Sequence, residues 1–373
     1  MTKWIGQTFT SDIGWDHLET LVDIGNRMAG SNGERTAAEA TRDALDQYAD
    51  ETWLDEFDLQ GWERGSSSIV TFFGDQECIA LPRSPEGNVS GEFVDLGYGL
   101  PSDFDDTDID GKVVMVDSSV PDWFDRYIHR REKYYYAVEG GANAFVYRNH
   151  VEGQLPPTGS VGKADAPIGD IPAVGVSSEV GARLSRRASG EEVTISNSAT
   201  INEASSQNVH AALGPETAEE VLITSHVDAH DIAEGALDNG AGTAMVVEVC
   251  RALSKRVGEL DTRVHFIAYG SEEVGLVGSS YDAKQRDLDS IKAILNFDGV
   301  VRGRTLQFYT HGFDPLKDAV ELIGDRYGHH VTTTPEQGPH SDHWPYVRHG
   351  VPGYHVMSKT GEQGRGWGHT AAD

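Results

Sequence analysis

The chain is poor in cysteine, and its two, Cys78 and Cys250, form no Cys-x-x-Cys pair. Two thiols cannot build a disulfide framework, so the fold must be held by an apolar core. No run of 18 or more apolar residues occurs, which excludes a membrane-spanning helix. The opening residues, Met1-Thr-Lys-Trp-Ile-Gly-Gln7, lack the basic-then-apolar order of a secretory leader. A cytoplasmic location is the resulting expectation. Cationic charge is scarce as well. Thirty Lys and Arg stand against sixty Asp and Glu, and only nine of the thirty are Lys. A net charge of −30 argues against nucleic acid and anionic membranes as partners, because phosphate contacts need Lys and Arg.

What is present is a chain of 373 residues, 38% of them hydrophobic, enough for one large domain and a smaller one. The acidic surplus reads as a solvated surface. Carboxylate-rich, lysine-poor composition also resembles proteins of salt-rich cytoplasm, where screening relieves self-repulsion. A salt-requiring, halophilic protein is therefore expected.

Three stretches differ in texture. Up to about residue 83, the residues Ala37, Ala40, Ala44, Leu45 and Tyr48 fall at helical spacing behind Gly30-Ser-Asn-Gly33. Ser31 or Asn32 would cap that helix, with Glu34 in its first turn. Ser68-Ile-Val-Thr-Phe-Phe73 reads as a strand. The second stretch, 84–198, is rich in Gly, Pro and Asp. Its short apolar runs, Val113–Val116, Ala144–Tyr147 and Ile171–Val174, are separated by turn signals, as in a small β-rich module. The third stretch, 199–373, alternates apolar strands (Val221–Thr224, Val264–Ala268, Ala293–Phe297, Leu306–Tyr309, Gly353–Val356) with helical segments, of which Gly242–Leu253 is the first. That alternation predicts an α/β sheet covered on both faces.

The polar signals of the third stretch sit just past strand ends. His226-Val-Asp228 follows the first strand, and Asp238-Asn-Gly-Ala-Gly242 precedes the helix. Gly270-Ser-Glu-Glu273 follows the second strand and Asp298 the third. Ligands of open α/β sheets gather beyond the carboxyl ends of the strands, so these segments are expected to converge. Imidazole and carboxylate without thiol suit a divalent metal of the zinc class. Asp238, flanked by glycines that let backbone approach closely, suits a carboxylate shared by two ions. Asp228 is placed to hold the second nitrogen of His226. In the Glu272-Glu273 pair one carboxylate would ligate metal while its neighbour takes a proton from water. Each feature alone has a plain structural reading as polar pair, turn, surface or cap. Four in succession at strand ends do not.

These segments resemble the co-catalytic di-zinc aminopeptidases, a group spanning bacterial leucine-type aminopeptidases, aminopeptidase Y and glutamate carboxypeptidase II. The likeness rests on Ser225–Asp228, Gly235–Gly242, Gly270–Ser279, Asn296-Phe-Asp298 and Gly368-His-Thr370. It implies a zinc exopeptidase fold, a central mixed, largely parallel sheet flanked by helices. It implies His226 and Asp298 on one zinc, Glu273 and His369 on the other, and Asp238 bridging. Glu272 would be the general base and Asp228 would support His226. Cobalt or manganese could replace zinc, and a peptide would be the substrate, cut at its N-terminal bond.

Asn26–Gly33 resembles the family's N-terminal helix start, which assigns 1–83 with 199–373 to the catalytic domain. Gly111–Val116, Gly141–Val146 and Ile171–Gly175 resemble a protease-associated domain, which assigns 84–198 to an inserted module of the kind that shapes access and does no chemistry. The sequence departs from the family twice. Gly368 stands where several relatives place a Tyr that stabilises the oxyanion, leaving Trp367 or His343 of Ser341-Asp-His343 as candidate donors. The sequence also stops at Asp373 where relatives continue into a closing helix, so a loosely anchored His369 loop is expected. His210, His230, His265, His311, His329 and His330 carry no spacing signal and read as surface or packed polar residues.

Three rivals share the scaffold. A carboxypeptidase would want a basic pocket, for which Arg302, Arg304 and Arg348 are available. A glutaminyl cyclase would use one zinc, and a non-enzymatic receptor would have lost ligands. A lidded di-zinc peptidase would need more residues between Glu273 and His369 than the chain has.

Overall fold

The computed structural model describes residues 3–162, 167–359 and 367–373. The chain divides into two compact units, one of Met1–Asp58, Ser205–Gly368 and Asp373, the other of Leu59–Ala204 and His369–Ala372. No helix among the described residues is long and apolar enough to cross a membrane.

The first unit is built on an eight-stranded sheet. Its strands run in the order Glu51–Glu63 (of which 51–58 belong to this unit), Thr200–Leu213 (of which 205–213 do), Arg263–Tyr269, Glu220–His226, Ile291–Phe297, Gly353–Ser358, Leu306–Tyr309 and Val331–Thr334. The four middle strands are parallel, with Ser225 opposite Ala268, Thr224 opposite Asn296 and Leu295 opposite Tyr354. Thr200–Leu213 and Leu306–Tyr309 join them antiparallel. The sheet is thus mixed and largely parallel, as the sequence implied. Leu222, Phe266, Ile267, Ile294 and Val356 are fully buried, which is why the middle strands read as continuous apolar runs. One face packs Leu21, Ala37, Leu45, Val246, Val247 and Cys250 from three helices, and the other packs Tyr346 and Val347. Each large side chain buried this way contributes about 1.5–3 kcal/mol.

The helix Asn32–Asp46 starts where the sequence placed it: Ser31 is extended and its hydroxyl accepts the Glu34 N–H at 3.1 Å. Behind it, His17 Nε2 meets Thr41 Oγ1 at 3.1 Å, and that hydroxyl itself donates to the Ala37 carbonyl. The His17 Nε2 therefore carries a hydrogen and donates it to Thr41. Burial, with Arg27 adding, pushes its pKa down to about 4. A histidine depressed in the folded state contributes stability above its unfolded pKa and loses it as pH falls from about 6.5 toward 4. Denaturation midpoints are expected to drop across that window, and His17→Gln to flatten the drop. An equally steep drop in the variant would locate the acid sensitivity elsewhere.

The second unit carries its own eight-stranded sheet, ordered Gly74–Gln76, Ser67–Thr71, Glu192–Asn197, Gly87–Asp95, Val113–Asp117, Ala144–Arg148, Ala173–Val176 and Ile79–Ala80. Val113–Asp117, Ala144–Arg148 and Ala173–Val176 are parallel neighbours. Helices, including Arg130–Glu139 and Ser178–Arg187, accompany the turns between strands. The change of texture at 83/84 does not coincide with the structural division at 58/59. Residues 67–80 fall in the second unit because Ser67–Thr71 pairs with Glu192–Asn197 and Ile79–Ala80 pairs with Ala173–Val176. Both cysteines are buried and free.

Candidate active site

Three parallel strands end side by side in the first unit, and their last residues carry the chemistry. His226 closes Glu220–His226, the segment 270–273 follows Arg263–Tyr269, and Asp298 follows Ile291–Phe297. Together with Asp238, His226 and Asp298 each offer a ligand atom, all within 4.8 Å of one another. His226 is fully buried. Its Nδ1 lies 3.1 Å from the backbone oxygen of Asp228, and its Nε2 faces Asp238 Oδ1 at 3.4 Å without hydrogen-bond geometry. Burial opposes a charge on this imidazole, yet Asp228 and Asp238 outweigh it and hold the pKa well above its ordinary value. The site thus favours a positive charge among its carboxylates, the property a cation centre needs.

Asp298 is held by a relay. The Thr224 hydroxyl donates to Asn296 Oδ1, Asn296 Nδ2 to Ser341 Oγ, and the Ser341 hydroxyl to Asp298 Oδ2, each at 2.7 Å. Asn296, buried on the strand, is the pivot of that chain. Asp238 lies on a turn whose next residue is fixed twice: Asn239 Nδ2 donates to the Phe297 carbonyl at 2.8 Å, and Asn239 Oδ1 accepts from Gly242 N at 3.1 Å. Position 242 has to be glycine, since a Cβ there would sit 2.4 Å from the Phe297 oxygen.

Arg27 holds the preceding loop. It is fully buried and donates to the carbonyls of Leu21, Val227, Glu234 and Gly235. Asp373 adds to the hold, accepting from Gly235 N at 3.0 Å and Leu237 N at 2.8 Å. The His369 backbone oxygen accepts from Thr158 N at 2.8 Å. These bonds hold Asp373 and the His369 backbone, each within its own unit, in the segment that the sequence led us to expect loose.

Asp228 does more than face His226. Its Oδ1 accepts the N–H of Glu272 at 3.0 Å and its Oδ2 that of Glu273 at 3.1 Å. The same loop is clamped from the other side by Glu34, whose Oε1 accepts Ser271 N at 2.8 Å and Ser206 Oγ at 2.9 Å. Ser271 (φ +59°) and Leu276 (φ +62°) adopt the left-handed region, a cost of roughly 1–3 kcal/mol each for a side-chain-bearing residue. Two buried carboxylates thus hold a strained turn that aims Glu272. Burial, reinforced by Glu273, Asp342 and Asp298 and opposed by His226, raises the Glu272 pKa well above the carboxylate range. Burial and then the Asp228 charge push Glu34 up to about 8.

His343 is fully buried and stacks between His311 at 4.7 Å and His355 at 5.0 Å. His210 and His265 pack with Trp53, and His329 and His330 are exposed. His230 is the residue that the sequence reading missed. It is 2% exposed, and its Nε2 lies 3.0 Å from Glu273 Oε2. Its one sequence signal is a place four residues after His226. Arg302, one of the three arginines available for a carboxypeptidase's basic pocket, holds its Nη2 3.7 Å from Asp238 Oδ2.

His226, Asp228, Asp238, Glu272, Glu273 and Asp298 therefore lie within the first unit. His369 (φ +61°) belongs to the segment grouped with the second.

Residues 208–373 match the model of peptidase family M28, and residues 88–184 match the PA domain. Aminopeptidase YwaD of Bacillus subtilis is 26% identical over 365 residues, which cover 94% of this chain and 76% of that protein. Carboxypeptidase Q of Xenopus laevis is 26% identical over 304 residues, covering 76% of this chain and 64% of that one. Among solved structures, the zinc aminopeptidase BSAP from Bacillus subtilis superposes with a TM-score of 0.75 at 24% identity, over 96% of this chain and 88% of its own.

Proposed function

We propose that this chain, whose residues 208–373 match peptidase family M28 and residues 88–184 the PA domain, is a two-zinc exopeptidase releasing the N-terminal residue of peptides. The observation that carries this reading is the convergence of His226, Asp238 and Asp298 beside the Glu272-Glu273 turn. The donor set fits zinc, being imidazole and carboxylate around buried nitrogen and oxygen atoms. His226 and Asp298 would hold one ion and Glu273 and His369 the other, with Asp238 shared. When bound, the metal pair supplies a water of lowered pKa and an electrophile for the scissile carbonyl.

The protein's own groups do the rest. Glu272, kept proton-hungry by burial, takes a proton from the attacking water and returns it to the leaving amine. Asp228 fixes Glu272 and Glu273 through their backbone N–H groups. Arg302 beside Asp238 favours one alternative, a carboxypeptidase in which the guanidinium pairs with the substrate's terminal carboxylate. Purified protein assayed with aminoacyl and with C-terminal peptide substrates separates the two. Aminoacyl hydrolysis abolished by a chelator and restored by zinc is expected. Turnover of C-terminal substrates alone would favour the alternative, and no turnover by zinc-loaded, folded protein would remove both.

The working conditions follow from the charge of −30. Carboxylates repelling across a Debye length of about 10 Å at 0.1 M salt are screened to about 3 Å at 1 M. We expect the denaturation midpoint to rise steeply between those concentrations. A midpoint unchanged by salt would refute the salt requirement.

A further inference from the structure

We propose that His230 is an additional metal ligand of this centre, its Nε2 joining Glu273 on the second zinc. The assignment rests on the two-zinc reading above. His230 is 2% exposed and Glu273 7%, and the two meet at 3.0 Å between Nε2 and Oε2. Both offer potential ligand atoms. A neutral imidazole and a carboxylate on one ion are a usual zinc environment, with ligand distances of about 2.0–2.2 Å.

The backbone presents His230 rather than leaving it to wander. Ala229 N donates to the Arg27 carbonyl at 3.1 Å, and the His230 carbonyl accepts from Ala233 N at 3.1 Å. Arg27 Nε holds the Val227 carbonyl at 3.0 Å from the same side. The loop after the strand is therefore clamped before and after His230, so its ring is carried on a fixed base. The Glu273 end is equally fixed, because Asp228 Oδ2 accepts the Glu273 N–H. Two rigid loops aim a nitrogen and an oxygen at one point. With Asp238, Glu273 and Asp298 already supplying three carboxylates, a neutral imidazole adds a donor without adding negative charge. That tightens metal binding without making the centre a weaker electrophile, which a fourth carboxylate would do.

The competing arrangement is a hydrogen bond in which His230 merely orients Glu273. Zinc titration against a chromophoric chelator, run on the whole chain and on His230→Ala and His230→Asn, separates them. Asparagine keeps a side-chain N–H for Glu273 and is a poor zinc ligand. We expect two zinc ions per wild-type chain, and in both variants a loss of at least roughly tenfold in affinity at the weaker site. The cobalt-substituted weaker site should change its visible absorption in both. A crystal structure of the zinc-loaded protein should place Nε2 about 2.1 Å from the ion. Wild-type affinity in His230→Asn, or an Nε2 that stays on Glu273 away from metal, would overturn the assignment. Two zincs bound with no effect of either substitution sinks His230 alone, whereas failure of the wild type to bind zinc sinks the two-zinc reading beneath it.

Discussion

Replacing Glu272 with glutamine is expected to lower kcat by roughly 10²–10⁴-fold, the usual worth of a positioned general base. The amide is close in size to the carboxylate and keeps its place, because Asp228 and Glu34 hold the turn through the backbone N–H groups of Glu272 and Ser271. What it loses is the capacity to accept a proton. Zinc content should stay at the wild-type level, since Glu272 is not among the ligands assigned above, and KM should move far less than kcat. Steady-state kinetics beside elemental analysis make the check. A variant with wild-type kcat would remove Glu272 from this role, and one that loses kcat and metal together would make it a ligand.

The second large effect concerns stability. Arg27→Met keeps the length of the side chain and removes every donor. The carbonyls of Leu21, Val227 and Glu234 then lose the guanidinium that each binds now, while that of Gly235 keeps the Gly240 N–H at 2.9 Å. An unsatisfied buried polar group costs about 1–3 kcal/mol. Even with partial relaxation, a loss of at least about 3 kcal/mol is expected, large against total stabilities of about 5–15 kcal/mol. The loop that carries Asp238 should loosen as well, so metal affinity should fall in parallel. Arg27→Lys, a single ammonium without the planar fork, should lie between. Denaturation curves for the three proteins would settle it, and a methionine variant as stable as wild type would contradict the clamp.

Much of this centre was legible because its residues advertise themselves by position. A ligand at the end of a strand is bracketed by the apolar run before it and the turn after it, so His226, Asp298 and the Glu272-Glu273 pair stood out without any long-range information. Their supports did not. Glu34 read as a carboxylate in the first turn of a helix, and that reading holds locally, since its Oε2 accepts Gly30 N at 2.7 Å. Its other oxygen reaches Ser271, 237 residues away, and no periodicity encodes such a contact. Arg27 lies in the Asn26–Gly33 segment read as a helix start, and nothing there shows that it is fully buried. His230 was passed over because an irregular loop gives an imidazole no face to be assigned to. The break in texture at 83/84 does not say which sheet the preceding strands join: strands 67–71 and 79–80 are short, and their pairing partners more than ninety residues on decide it.

The serine relay behind Asp298 has a consequence for which ions the centre admits. Ser341 already donates to Oδ2 of that carboxylate, so Asp298 offers an incoming ion one oxygen at full strength and the second only in competition with a hydroxyl. Calcium gathers six to eight oxygens and draws on two-oxygen carboxylates to reach that number. Zinc is content with four donors and welcomes nitrogen among them. A hydroxyl that occupies one lone pair is thus a filter by denticity: it starves large, oxygen-seeking cations of a contact while costing a small one nothing.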